Sequence, residues 1–398
     1  VDSPVVGTGG VCAQTLTESA LLKQRRQAER RACCRRSFTQ VSISFVCCGE
    51  TKQAIPMNLD HYNAMRMTAG YIELQDRSWI GLIGAERAEF LQGLLTNDVL
   101  ALSCGTGCYS TYLTPQGRMV ADMLVLAEQD RLLVDVHSSV KDGLRKRFDS
   151  LVFAEDVAVQ DLGEELSAFG IHGPQASEII ASVFAPVKTQ FAIHEHCRIE
   201  IEGVVGLLAR TDDLGIEGYR LIIAREVTTK VSEALKRSGV VPVESEVAET
   251  VRIESGRPSF PGDMNTDTIP LEAGIEDRAI NFDKGCYVGQ EVIIRILHRG
   301  QGRVARRLVG LVCDKTDADS RLPASGMLIC QVGSDDAVGV VTSAVWSPEC
   351  GAVVALGYLR RELADEAGSV VDVMVGEMRA RSVVTKLPFV SLPDSAGL

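Results

Sequence analysis

The feature that most constrains the fold of this chain is a change of texture at Gly300-Gln301-Gly302. Ahead of it, apolar runs of strand length alternate with stretches of helical period in the order strand, helix, strand pair, helix, and that order occurs twice. Strands are expected at 71–83, 109–113, 119–127 and 131–136, with a helix at 84–95 that puts Ala88, Leu91, Leu94 and Leu95 on one face. A second helix at 138–148 carries Val140, Leu144 and Phe148 at four-residue spacing. The pattern then repeats: a strand at 166–171, a helix opened by Pro174, strand-like runs at 197–209 and 218–224, and a helix at 227–238. Beyond Gly302 the runs at 303–313, 327–332, 338–346, 370–375 and 378–384 are short and divided by turn residues, and only 358–367 reads as helical. This predicts an α+β body of two related α/β units at 57–300 and a C-terminal β-barrel domain at 301–398. A chain of 398 residues exceeds the roughly 250–300 at which one core stops growing.

Charge and sulfur narrow the function. A formal net charge of −12 argues against general nucleic-acid binding, because phosphate backbones reward excess Lys and Arg. No apolar run reaches the 18 or so residues of a membrane span. Residues 1–56 differ from the rest, with eight Lys and Arg against four Asp and Glu, five of the twelve cysteines, and no Met before Met57. They read as a disordered leader or a non-native upstream segment. An Arg-rich, Ser-containing transit peptide is the rival, placing the protein in a mitochondrial matrix rather than a bacterial cytoplasm. The other cysteines, odd in number and scattered, suit a reducing compartment, and no C-x-x-C motif occurs.

The densest run of reactive and conformationally special residues is Asp283 to Glu291. A thiol reacts as thiolate, and Lys284 beside Cys286 is placed to favour that form. Gly285 and Gly289 give the loop freedom before an ordered element at 290–298. The local chemistry leaves two readings open, a reactive thiol and a small buried hydrophobe.

Lys284-Gly285-Cys286-Tyr287-Val288-Gly289-Gln290-Glu291 resembles the signature of the YgfZ family, folate-binding proteins of the glycine-cleavage T-protein (aminomethyltransferase) superfamily that support iron–sulfur proteins. Five more stretches resemble the superfamily in register: 84–99, Gln116-Gly117-Arg118 with Asp122, Gly173 to Ala176, Arg252 to Gly256 followed by Ile269 to Gly274, and Ala355 to Leu359. The resemblance implies a GcvT-like body, a bound tetrahydrofolate and Cys286 as the functional thiol. Lys284 would then favour the thiolate, Gly285 and Gly289 would shape the loop on either side of Tyr287, and Gln290 and Glu291 would brace it through hydrogen bonds.

Two departures from the superfamily bear on activity. Where the aminomethyltransferases carry an acidic pair whose aspartate is central to catalysis, this chain has Ala121-Asp122, and Asp122 occupies either the catalytic place or its structural neighbour's. The position of the pterin-binding glutamate falls on Ile216, so the resemblance passes that role to Glu217, with Tyr219 as aromatic partner and Arg252 facing the folate carboxylate. The leading expectation is a folate-binding accessory protein for iron–sulfur client enzymes. The alternatives are a tetrahydrofolate-dependent aminomethyltransferase or demethylase, and a non-catalytic protein-binding scaffold.

Overall fold

The computed structural model describes residues 52–53, 57–184, 191–201, 203–314, 321–376 and 378–390. The leader reading of residues 1–56 therefore lies outside the described residues, apart from Lys52–Gln53, which pair antiparallel with Arg321–Leu322, and Gln53 is followed by description again only from Met57.

Two β-sheets stand face to face with helices on their outer sides. In the first, the strands run Gly107–Leu113, Met119–Ala127, Arg131–His137, Arg77–Ile83, Ala158–Asp161. In the second they run His196–Ile201, Val204–Thr211, Gly218–Ala224, Leu166–His172, Gly70–Glu73, Val241–Pro242. All pairings are antiparallel except the last, between Val241–Pro242 and Gly70–Glu73. Helices Arg87–Gln92 and Ser138–Leu151 cover the first sheet through Phe90, Leu91, Leu144 and Phe148. Helices Ala176–Val183 and Thr228–Arg237 cover the second through Ile180, Val231 and Leu235. The inner faces meet through Trp79, Leu124, Leu126, Leu133, Ala168, Leu207 and Ile222. Strands buried on both faces read as near-continuous apolar runs, which is why 119–127 and 131–136 stand out in sequence, broken inside only by Asp122 and Asp135.

The repeated order is a structural duplication. Each unit has a short lead strand, a long strand, a helix, a three-stranded meander and a helix. The lead strands are exchanged: Gly70–Glu73 pairs with the long strand Leu166–His172 of the second unit, and Ala158–Asp161 with the long strand Arg77–Ile83 of the first. The run at 197–209 is two strands, since Gly203 turns the chain at φ +79°.

Six strands close the C-terminal barrel in the order Arg306–Cys313, Ala352–Arg360, Ala337–Ser347, Leu328–Gln331, Val370–Val375, Met378–Thr385. The helical reading of 358–367 is corrected here. Tyr358 to Arg360 end a nine-residue strand, and only Arg361–Ala364 are helical. Pairing on both sides of Ala352–Arg360 supplies the hydrogen bonds that override its local pattern. Among the described residues, no helix is long and apolar enough to cross a membrane.

Candidate functional site

Side chains two apart on a strand share a face, so the residues beside the inter-sheet apolar layer can be named from that layer. Arg77 accompanies Trp79, Asp122 accompanies Leu124, Asp135 accompanies Leu133, and Arg220 accompanies Ile222. The apolar members close one end of the space between the sheets. Arg77, Asp122 and Arg220 form the floor of a cavity of about 910 Å³, whose walls include Tyr109, His172, Asp213, Arg252 and Arg278, while Asp135 lies buried behind them.

Opposite charges alternate along this floor, with Asp135 and Arg220 buried and Arg77 and Asp213 partly exposed. Arg77 Nε donates to Asp135 Oδ1 at 2.7 Å and Arg220 Nη1 to Asp135 Oδ2 at 2.5 Å, while Arg220 also donates to Asp213. Burial opposes ionisation of Asp213, yet Arg220, His172 and Arg77 hold its carboxyl well below the usual range. Removing Asp135 would leave Arg77 without its carboxylate partner and the buried Arg220 with Asp213 alone.

Asp122 sits at the edge of this array. Tyr109 Oη donates to its Oδ2 at 2.9 Å, whereas Oδ1 is buried without a hydrogen-bond partner among the described residues. Burial raises the Asp122 carboxyl above its ordinary value against the opposing pull of Arg77 and Tyr109. A carboxyl held this way can keep a proton at higher pH than a surface aspartate and return it to a bound group. The neighbour Ala121 faces the opposite side, into the core under helix Ser138–Leu151.

The expected folate contacts are placed differently from one another. Arg252 lines the cavity, but its fork is engaged: Nε and Nη2 donate to Glu249 at 2.7 and 2.5 Å, and Nη1 to Asp263 at 2.7 Å. Tyr219 points away from the cavity, because Arg220 takes the inward face of that strand. Its ring packs edge-on against Phe191, with centroids 6.1 Å apart, in the helix-side core. Glu217 accepts from Tyr219 Oη at 3.3 Å, and neither residue lines the cavity. Ile216 is buried in an apolar cluster with Tyr62, Met65 and Val243.

The Cys286 loop lies outside the cavity lining, and Cys286 is exposed. Lys284 does another job than activating it. Its ammonium donates to the carbonyls of Gln92, Leu95 and Asn97 at 2.8, 2.6 and 2.9 Å, and sits 5.4 Å from the centre of the Tyr287 ring. Burial pulls its pKa down to about 8, with Asp98 and Cys108 opposing. The lysine thus pins the loop to the end of helix Arg87–Gln92. Gly289 has φ +86° and opens helix Gln290–His298, and a Cβ there would come within 2.6 Å of the Thr114 carbonyl. Gly285 meets no such constraint, having open space around it and no positive φ. Among the described residues, the side chains of Gln290 and Glu291 make no hydrogen bond that would brace the loop, and Glu291 is exposed.

Several cavity residues were not singled out in the sequence: Arg77, Tyr109, His172, Asp213 and Arg278. The signal was available for Arg77, which lies two residues from Trp79 on a strand. It was not available for Arg278, whose guanidinium lies 5.0 Å from the centre of the Tyr109 ring while sharing Asp212 with Arg257.

Comparison with known proteins places this geometry. Residues 36–284 match the GCVT N-terminal domain, and residues 306–391 match the glycine cleavage T-protein C-terminal barrel domain. An aminomethyltransferase of Desulforamulus reducens is 29% identical over 338 residues, spanning 82% of this chain and 88% of the relative. That of Bacillus subtilis is 28% identical over 337 residues, spanning 82% and 89%. The crystal structure of glycine cleavage system aminomethyltransferase T from Bartonella henselae superposes with a TM-score of 0.75 at 20% identity, covering 86% of this chain and 92% of that one.

Proposed function

This chain belongs to the glycine cleavage T-protein family, and from that premise we propose that its cavity binds a reduced folate and that Asp122 assists one-carbon transfer of the aminomethyltransferase type. The observation that carries the reading is the Asp122 carboxylate, buried at the cavity wall with Oδ1 unpartnered. A buried polar atom of that kind calls for a partner, and here a ligand would meet it. The cavity volume of about 910 Å³ suits a folate-sized molecule, pockets for such ligands running from about 300 to 1,000 Å³.

Tetrahydrofolate would supply the nitrogen at which a one-carbon unit is received. Asp122 would stabilise positive charge developing near Oδ1 and hold or return a proton there. Tyr109 fixes the carboxylate through Oδ2, and the Arg77–Asp135–Arg220–Asp213 array keeps the floor rigid. The absence of a second carboxylate at Ala121 does not weaken this reading, because position 121 faces the core.

A turnover assay with an aminomethyl donor and tetrahydrofolate tests it. Asp122→Asn should cut turnover about 10²- to 10⁴-fold while a folate-induced rise in melting temperature persists. A wild-type protein that binds folate but turns over no donor would overturn the transferase reading.

One observation favours a second reading, the iron–sulfur accessory role. Cys286 is exposed on a pinned loop outside the cavity, where a partner protein could reach it. In that role Cys286→Ser would leave folate binding intact and lower the activity of an iron–sulfur client enzyme in cells relying on the variant. Full client activity would remove the thiol from the mechanism.

A further inference from the structure

Residues 292–313 hold five Arg and one His with no Asp or Glu among them, in a chain whose formal net charge is −12. Two of the arginines are engaged: Arg306 pairs with Glu272 at 3.1 Å, and Arg307 stands 3.7 Å from Asp365. Arg295, His298, Arg299 and Arg303 are exposed, and among the described residues none of the four makes an ion pair or a side-chain hydrogen bond.

Helical period explains why these charges are left outside. Ile293, Ile296 and Leu297, three and four residues apart, turn inward to the core cluster that holds Tyr287. The opposite face of the helix then carries Glu291, Arg295, His298 and Arg299, flanked by the partly buried Ile294. A hollow runs along it, lined by Val292, Ile294, Arg295, His298 and Arg299. Cys286 stands just ahead of this helix. The Gln290 N–H donates to the Tyr287 carbonyl at 3.3 Å, which folds the connection, so the exposed thiol lies within about 15 Å of the helix start.

A row of unpaired cations on an acidic protein attracts an anionic partner, and the residues between the cations select its class. A nucleic-acid backbone would be repelled by Glu291 and would leave Val292 and Ile294 facing water. A protein segment that alternates acidic with apolar side chains meets both parts of the face. Residues 1–56 do not suit it, since they carry eight Lys and Arg against four Asp and Glu.

We propose that the outer face of helix Gln290–His298 docks an acidic, partly apolar segment of a partner protein and sets it beside Cys286. The inference supplies the partner chemistry for the iron–sulfur accessory reading and rests on that reading only for the use made of the thiol.

The test uses the full chain and the fluorescence anisotropy of a short labelled peptide repeating Glu-Asp-Leu-Glu. An amide version of the peptide, with Gln and Asn for its acids, and an oligouridylate of equal charge are the comparisons. Wild type binds the acidic peptide more tightly than either, and less tightly as salt is raised. Arg295→Glu with Arg299→Glu weakens the peptide about tenfold or more, as does Arg295→Gln with Arg299→Gln to a smaller degree should the reversed pair not fold. Ile294→Ser weakens the peptide and leaves the oligouridylate unchanged, while Cys286→Ser binds the peptide as wild type does. Peptide binding unaltered by the arginine changes, tighter binding of the oligouridylate, or a wild type that binds no peptide overturns the inference. So does a wild-type dimer in sedimentation that the arginine changes dissolve, because the occupant is then a second copy. The accessory reading is judged separately, by client activity with Cys286→Ser.

Discussion

Strand alternation decides what Ala121 and Asp122 can each do, and it does so before any chemistry is considered. One of two adjacent positions on a strand buried on both sides must face the helices and the other the opposite sheet. The same rule separates Tyr219 from Arg220, and there it takes the aromatic residue out of the site. Reading the floor from the sequence thus needs only the parity of Trp79, Leu124 and Ile222, whereas the role of Lys284 needs the fold. A lysine two residues from a cysteine suggests an activated thiol, but its acceptors are the carbonyls of Gln92, Leu95 and Asn97, which no local pattern brings near. His172 yields a prediction at this scale. The unfolded chain protonates it near 6.5 while the folded protein holds it neutral down to about 4, with Asp213 and Arg220 the charged groups acting on it. Stability is therefore unaffected by this residue above pH 6.5 and is lost as the pH falls towards 4. The melting temperature of wild type should drop more steeply across that window than that of His172→Gln, and parallel curves would contradict the assignment.

Among the elements, helix Gln290–His298 shows how one residue sets an entry angle. Gly289 stands where the chain turns in the left-handed region against the Thr114–Gly117 turn, and the helix begins at the next residue. Gly289→Ala should cost about 1–2 kcal/mol for the backbone alone, with more from the contact with Thr114, whereas Gly285→Ala should leave the melting temperature nearly unchanged. Thermal unfolding of the two variants checks both, and equal losses would mean that the loop, not the helix entry, holds the strain. Glycine pairs announce a turn in sequence without saying which member is indispensable; that depends on what lies across from each. The same limit explains the strand Ala352–Arg360, whose Tyr358 to Arg360 end resembles the start of a helix until two neighbouring strands claim its backbone.

At the scale of the whole molecule, an α+β body and a β-barrel are legible in the sequence, because helical period gives way to short strands, while the seam between them is not. Asp263 is one part of that seam, beside the Ser347–Glu254 hydrogen bond and the Arg306–Glu272 ion pair. It is buried and accepts from Arg252 at 2.7 Å on one oxygen, and from Thr342 and Ser343 of the barrel at 2.5 and 2.8 Å on the other. A cavity-wall arginine is thereby fastened to the barrel. Asp263→Ala leaves the buried Arg252 with Glu249 as its one carboxylate, beside the Arg257 carbonyl, and should lower stability by about 3–5 kcal/mol, read from the midpoint of urea unfolding. A loss below about 1 kcal/mol would show the seam to be incidental.

The exchanged lead strands carry a statement about ancestry. A protein made of one such unit could not have completed its own sheet, because the short strand it carries belongs beside another unit's long strand. It would have stood as a pair of identical chains with strands swapped, and fusion of the two genes would then have fixed the pair in a single polypeptide. On that history the cavity between the sheets began as the interface of a symmetric dimer. The residues that now line it from the two sheets, Asp122 on one and His172 on the other, are no longer alike.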